Sequence, residues 1–269
     1  MRLPDFEPSI APEMQATIQC KLAGVEAEFG VRILFAVESG SRAWGFPSPD
    51  SDYDVRFVYV HPLDWYLSLT AGRDVIELPI ADDFDIGGWD LRKALNLLLK
   101  PNPVMLEWLS SPIRYAWNEG DAAKLIRLAG RTAHASACLH HYLSLGEGQW
   151  RQHVGERESV NYKKYFYVLR PALAIRWVRF NPDRPPPMNI QAMSHGLDLE
   201  PAAVTDIARL LALKAKARET GEGGRIPRLD RLIQAEFAWA RTNPPSKGNG
   251  DVTDEADDLF REIVKAGAP

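Results

Sequence analysis

Residues 38–60 read Glu38-Ser39-Gly40-Ser41-Arg42, then Ala43-Trp44-Gly45-Phe46-Pro47-Ser48-Pro49-Asp50-Ser51, then Asp52-Tyr53-Asp54-Val55-Arg56-Phe57-Val58-Tyr59-Val60. The run 31–37 before it is short and β-branched and breaks into Ser39-Gly40-Ser41, which predicts a buried strand ending in a tight turn. In 52–60, Tyr53, Val55, Phe57 and Tyr59 alternate with Asp52, Asp54 and Arg56, so a second strand carries two carboxylates on one face. Gly40 lets backbone approach closely, and free N–H groups beside the Ser41 hydroxyl suit phosphate oxygens. Carboxylates two residues apart on a strand suit hard cations that take oxygen ligands, magnesium above all. A two-metal site needs a third acid on a neighbouring strand. Asp85, in Phe84-Asp85-Ile86 ahead of Gly87-Gly88, fills that place, with Asp90 the competing candidate. Asp90 also suits the cap of a helix running to Leu99, where Pro101 stops it. Taken alone, Ser48-Pro49-Asp50-Ser51-Asp52 is only turn chemistry; the preceding Gly40-Ser41 makes a metal site the stronger reading.

Outward from this stretch, 12–29 places Met14, Ile18, Leu22, Val25 and Phe29 at helical steps, between Pro12 and Gly30. Strands are expected at 75–78 and 84–86. From Asp121 the pattern turns helical, at about 122–148, 159–180 with Pro171 inside, 201–219 and 228–242. Strands followed by helices indicate an α+β fold with a helical partner. The expected division is a catalytic domain at 1–115, a helical domain at 116–242 and a mobile tail at 243–269 with one short helix.

The 269 residues are 45% apolar and 25% charged, which excludes a disordered or collagen-like chain. Two cysteines without CxxC spacing suggest neither a zinc site nor a disulfide framework. No apolar run nears the ~18 residues of a membrane span. The opening Met-Arg-Leu-Pro-Asp-Phe-Glu-Pro-Ser lacks the apolar middle of a signal peptide, so the cytoplasm is expected. A net charge of -4 argues against broad binding to polyanions while leaving room for a local phosphate site.

Gly40-Ser41, ten intervening residues and Asp52-Tyr53-Asp54 resemble the signature of the DNA polymerase beta nucleotidyltransferase superfamily, with Asp85 similar to its third acid. The strings ESGSRAWGF, SDYDVRFVY, GWDLRKAL, NPVMLEWLSSP and KKYFYVLRPALA more narrowly resemble the RNA repair pathway DNA polymerase beta family, over roughly 33–235. The resemblance implies a mixed-sheet nucleotidyltransferase domain, a helical second domain and magnesium-dependent transfer of a nucleotidyl group, with a link to RNA repair.

On this reading Asp52 and Asp54 bind two magnesium ions, and Asp85 binds the catalytic one and helps deprotonate the acceptor. Gly40 and Ser41 hold the phosphates of ATP or another nucleoside triphosphate. Arg42 and Arg56 either grip the triphosphate or make structural ion pairs. Lys163 and Lys164, near Tyr167 and Arg170 on one helix, form a basic aromatic face for the triphosphate or else a solvated one. The triphosphate is expected between sheet and helices. The acceptor is an RNA 3′ end, or alternatively a protein or small molecule; a non-catalytic nucleotide sensor is the reading from another class.

Overall fold

The computed structural model describes residues 2–8, 10–70, 72–81, 83–216, 221–243 and 251–266. In chain order the elements begin with α1 (Pro12–Phe29), β1 (Arg32–Glu38), β2 (Tyr53–Val60), α2 (Leu63–Tyr66), β3 (Val75–Glu77), β4 (Phe84–Asp90), α3 (Leu91–Leu99), α4 (Pro103–Leu109), β5 (Arg114–Trp117) and α5 (Glu119–Ala129). They continue with α6 (Ala135–His153), β6 (Ser159–Asn161), α7 (Tyr162–Phe180), α8 (Ile190–His195), α9 (Pro201–Lys216), β7 (Glu222–Gly224), α10 (Pro227–Thr242) and α11 (Thr253–Ala266). The fold is α+β, and its main sheet is mixed, in the order β3-β4-β2-β1-β5. Among the described strands of this sheet β2 and β4 run parallel, and the other neighbours are antiparallel.

The chain forms two compact units, neither continuous in sequence. One comprises 8–40, 52–132 and the described part of 250–269; the other comprises 2–7, 41–51 and 133–249 apart from its undescribed residues. The boundary expected at 115 therefore falls inside the sheet unit, which includes α5, with Ala122, Leu125 and Leu128 buried. Residues 251–266 differ from the expected tail: α11 buries Ala256, Leu259, Ile263 and Val264 and packs on α3 and α5. Its apolar side recurs at helical spacing within an otherwise acidic stretch, so it has a face to bury despite the charge around it.

In the sheet unit, Leu34, Phe35, Ala36 and Val37 of β1 and Val55, Phe57, Val58 and Tyr59 of β2 are buried, as two central strands covered on both faces require. Strand β4 runs four residues past the expected Ile86, because its pairing with β2 continues through Gly87, Gly88 and Trp89 to Asp90. A Cβ on Gly88 would overlap the Phe57 ring, so glycine there is a packing requirement. Asp90 caps α3, accepting from the Arg92 N–H at 2.8 Å.

In the helical unit α7 is the central element, with Tyr165, Phe166, Val168, Leu169, Leu173 and Ile175 among its buried residues. It packs on α6 and α10, and Gly146 of α6 keeps this close, since a Cβ there would meet the Phe237 ring. The helix expected at 122–148 is two helices, α5 and α6. They break at 130–134, where Gly130 caps α5 and the Thr132 hydroxyl donates to the Ala129 carbonyl at 2.8 Å. Two three-residue strands, β6 and β7, pair in this unit, too short to show in the sequence pattern. Helix α9 is described to Lys216, and the expected residues 217–219 lie outside the described ones. Among the described residues no helix is long and apolar enough to cross a membrane.

Candidate active site

At one end of the sheet, Asp54 and Asp85 are register partners on the parallel pair β2–β4 and carry their carboxylates side by side. Asp52 is exposed, one residue before β2 begins. The Arg56 guanidinium lies on the same strand face as Asp54. It donates to Asp85 Oδ2 at 2.6 Å and to the Asp85 carbonyl at 2.7 Å, and stands 3.8 Å from Asp54 Oδ1. Arg56 thus makes the ion pair that the sequence left open as the alternative to phosphate binding. Asp90 pairs with Tyr59 at the opposite end of the same ladder, fully buried. There it accepts from the Tyr66 hydroxyl at 2.6 Å while capping α3, and burial raises its carboxyl above the usual range.

Gly40 lies against the Asp54 side chain so closely that a Cβ would overlap Asp54 Oδ2. Its φ is unremarkable; the missing Cβ is what matters. Beneath both sits Glu38, the last residue of β1, with no exposed surface. Glu38 Oε1 accepts from the Asp54 N–H at 2.9 Å and from the Gly40 N–H at 3.4 Å, and Oε2 accepts from the Tyr115 hydroxyl at 2.5 Å. Burial pushes its carboxyl up to about 7; the Asp54 charge adds to this, and the three donors oppose it.

Ser41 and Arg42 belong to the other compact unit. The Ser41 hydroxyl donates to Ser51 Oγ at 2.9 Å, which also accepts from the Ser48 N–H at 2.9 Å, and Arg42 donates to the Ser51 carbonyl at 2.6 Å. The rest of this loop is bound to the helices. The Trp44 carbonyl accepts from the Ile190 N–H at 3.0 Å, and Gln191 donates to the Gly45 carbonyl at 2.7 Å. Lys214 donates to the Phe46 carbonyl, and the Phe46 ring stacks on Phe166 at 4.7 Å. Gly45 has φ 86°, and a Cβ there would overlap the Gln191 amide.

Lys163 and Lys164 are half-buried in the first turn of α7, and Lys164 Nζ lies 5.2 Å from the Tyr167 ring centroid. Arg170 is not on an open face with them. It is buried, donates to the Met188 carbonyl at 3.1 Å and covers Trp44, so it holds the loop in place. Lys214, deep in α9, has its ammonium lowered to about 8 by burial and then by Lys163 and Arg42, with Asp50 opposing.

Three functional candidates escaped the sequence reading. Glu38 lies one residue past the expected strand and has no expected role, although a carboxylate closing an apolar run is a signal. Lys214 and Gln191 lie far along the chain from the loop they hold, and nothing local marks them.

The donor set beside Gly40 is all oxygen, as magnesium prefers, and two of its carboxylates are adjacent, so the residues fit a hard cation in chemistry and pairing. Among the described residues no three or more His, Cys, Asp or Glu side chains are gathered into a metal site as they stand; the adjacency is of two acids, both facing the Arg56 guanidinium.

A profile of the RNA repair pathway DNA polymerase beta family matches residues 14–262. The uncharacterized protein YcgL of Bacillus subtilis (strain 168) is 43% identical over 224 residues, covering 83% of this chain and 85% of that protein. A nucleotidyltransferase-like protein from Exiguobacterium sibiricum 255-15, solved by crystallography, aligns over 93% of this chain and 80% of its own, with 12% identity and a TM-score of 0.27.

Proposed function

This chain belongs to the RNA repair pathway DNA polymerase beta family, and from that premise we propose that it is a magnesium-dependent nucleotidyltransferase. It moves a nucleoside monophosphate from a nucleoside triphosphate to an acceptor hydroxyl, an RNA 3′ end in the first reading, with pyrophosphate leaving. The supporting observation is the Asp54–Asp85 carboxylate pair on the parallel strands, with Gly40 packed against Asp54.

Asp52, Asp54 and Asp85 would hold the magnesium ions, whose chemistry is to neutralise phosphate charge and activate the attacking hydroxyl. Asp85 Oδ2 is held by Arg56, which leaves Oδ1 to take the proton of the acceptor. Arg56 thereby acts on the acid and not on the phosphates. Ser41, Arg42 and one of Lys163 and Lys164 are the proposed phosphate contacts, while Gly40, expected to hold phosphate with Ser41, has its N–H on Glu38 Oε1 and serves by leaving room beside Asp54. Lys163 and Lys164 diverge by about 100° around α7, so one of them serves and the other does not.

The deciding experiment incubates the purified protein with magnesium, each labelled triphosphate and a panel of RNA ends, proteins and small hydroxyl compounds, and follows pyrophosphate release. Label on an RNA 3′ end supports the first reading, and label on a protein or small molecule moves the acceptor. Triphosphate binding without transfer to any acceptor would make the chain a nucleotide sensor. Asp52→Ala and Asp54→Ala are each expected to abolish transfer with the fold intact. Wild-type turnover in excess chelator would overturn the metal's role.

A further inference from the structure

Strand β1 ends at Glu38 and the chain turns away, yet the Ser39 N–H still reaches the Asp54 carbonyl at 2.8 Å. In a regular antiparallel ladder the return bond would run from the Asp54 N–H to the Ser39 carbonyl. Instead the Asp54 N–H donates to Glu38 Oε1, an oxygen shared with the Gly40 N–H. A side-chain carboxylate thus stands where a strand carbonyl would be and ties two backbone sites, fourteen residues apart in sequence, to one atom. That atom is itself fixed. Tyr115 of β5 holds the other carboxylate oxygen, and the Ser111 hydroxyl donates to the Glu38 carbonyl at 2.7 Å.

Taking a carboxylate out of water costs several kcal/mol, and an apolar side chain of similar volume would fill the same space. What an apolar side chain lacks is an acceptor for the two N–H groups. Those groups belong to the glycine that makes room for Asp54 and to Asp54 itself. We infer that Glu38 is a positioning residue: by accepting from Gly40 and Asp54 together, it fixes the glycine turn against β2 and aims the Asp54 carboxylate. Glu38 touches neither substrate nor metal; it acts through Asp54. The inference rests on the nucleotidyl-transfer reading for its consequence in catalysis, and on hydrogen bonding alone for its structural part.

The test measures amide hydrogen exchange and steady-state kinetics in four proteins: wild type, Glu38→Ala, Glu38→Gln and Glu38→Met. Glu38→Met fills the volume without an oxygen and serves if the alanine variant does not fold. Loss of the acceptor is expected to speed exchange at the Gly40 and Asp54 amides about tenfold or more, since a buried donor left without its acceptor loses about that much protection. The amides of Val58 and Val60, further along β2, keep their wild-type rates. In the same variants kcat falls about a hundredfold, while the KM for the triphosphate moves less than about threefold. Glu38→Gln keeps an oxygen acceptor and restores both readouts. A merely structural Glu38 would instead loosen the whole of β2 and leave kcat of the folded protein unchanged, and that result overturns the inference. So does unchanged exchange at both amides in the methionine variant. If exchange behaves as expected but the wild type neither binds Mn2+ in calorimetry nor turns over any triphosphate, the functional reading fails and the positioning of Asp54 by Glu38 stands.

Discussion

Gly40 has no space for a side chain, because the Asp54 carboxylate lies where its Cβ would go. Gly40→Ala is therefore expected to displace a candidate metal-binding group without touching the core. A misplacement of about 1 Å at a reacting group costs about a hundredfold in rate. Transfer assays should show that loss with the melting temperature nearly unchanged; full activity would detach Gly40 from the site. Lys214 offers a test by pH. The folded protein releases its proton at about 8, against 10.5 for an ordinary lysine, so between these values the unfolded chain binds more protons and stability rises with pH. Below 8 both states are charged, and the cost of burying the ammonium is carried in full. With 3% of the residue exposed, the shift corresponds to about 3 kcal/mol. Denaturant unfolding from pH 7.5 to 10.5 should show the wild type gaining about that much relative to Lys214→Met. A pH-independent difference between the two would mean that Lys214 is not held as a buried ammonium.

Strand β4 separates two acids that the sequence could not fully rank. Asp85 pairs with Asp54 across the parallel ladder, whereas Asp90 ends the strand as the cap of α3. Asp85 is partly exposed, so Asp85→Asn should change stability by less than about 1 kcal/mol while nearly abolishing turnover. Asp90→Ala removes a cap and leaves the Tyr66 hydroxyl without its acceptor, a loss of about 2 to 4 kcal/mol. Asp90→Asn keeps the cap and costs less. Unfolding and turnover measured on the three variants separate the roles, and a stable but inactive Asp90→Asn protein would transfer the catalytic role to Asp90. Alternation and spacing made Asp52, Asp54 and the strand around Asp85 legible, because a strand's period of two reports directly on faces. What the sequence concealed was long-range. Glycines at 87 and 88 looked like the end of a strand, although Gly88 is small because the Phe57 ring occupies its place. Nothing in the local run Trp44-Gly45-Phe46 marks its partners Gln191 and Lys214, which stand more than a hundred residues away.

At the scale of the molecule, the chain leaves the sheet unit after Gly40, re-enters at Asp52, leaves after Thr132 and returns for α11. A division at 115 cuts across this path. A fragment of residues 1–115 lacks α5, whose Asp121 holds Arg32 of β1 at 2.9 Å, and lacks α11, whose Leu259, Ile263 and Val264 are buried. The same fragment keeps the loop 41–51 but loses Phe166, Gln191 and Lys214, leaving the Phe46 ring unstacked and the Gly45 and Phe46 carbonyls without donors. Burying a large apolar side chain contributes about 1.5 to 3 kcal/mol, so exposing the α5 and α11 contacts together removes an amount comparable to the stability of a typical domain. Fragments 1–115 and 116–242, expressed separately, are therefore expected to show no cooperative thermal transition, while the full chain does. Calorimetry and near-ultraviolet circular dichroism on the three proteins provide the measurement. A sharp transition in the 1–115 fragment would mean that the sheet stands without α5 and α11, and that the helical segments only add to a domain already complete.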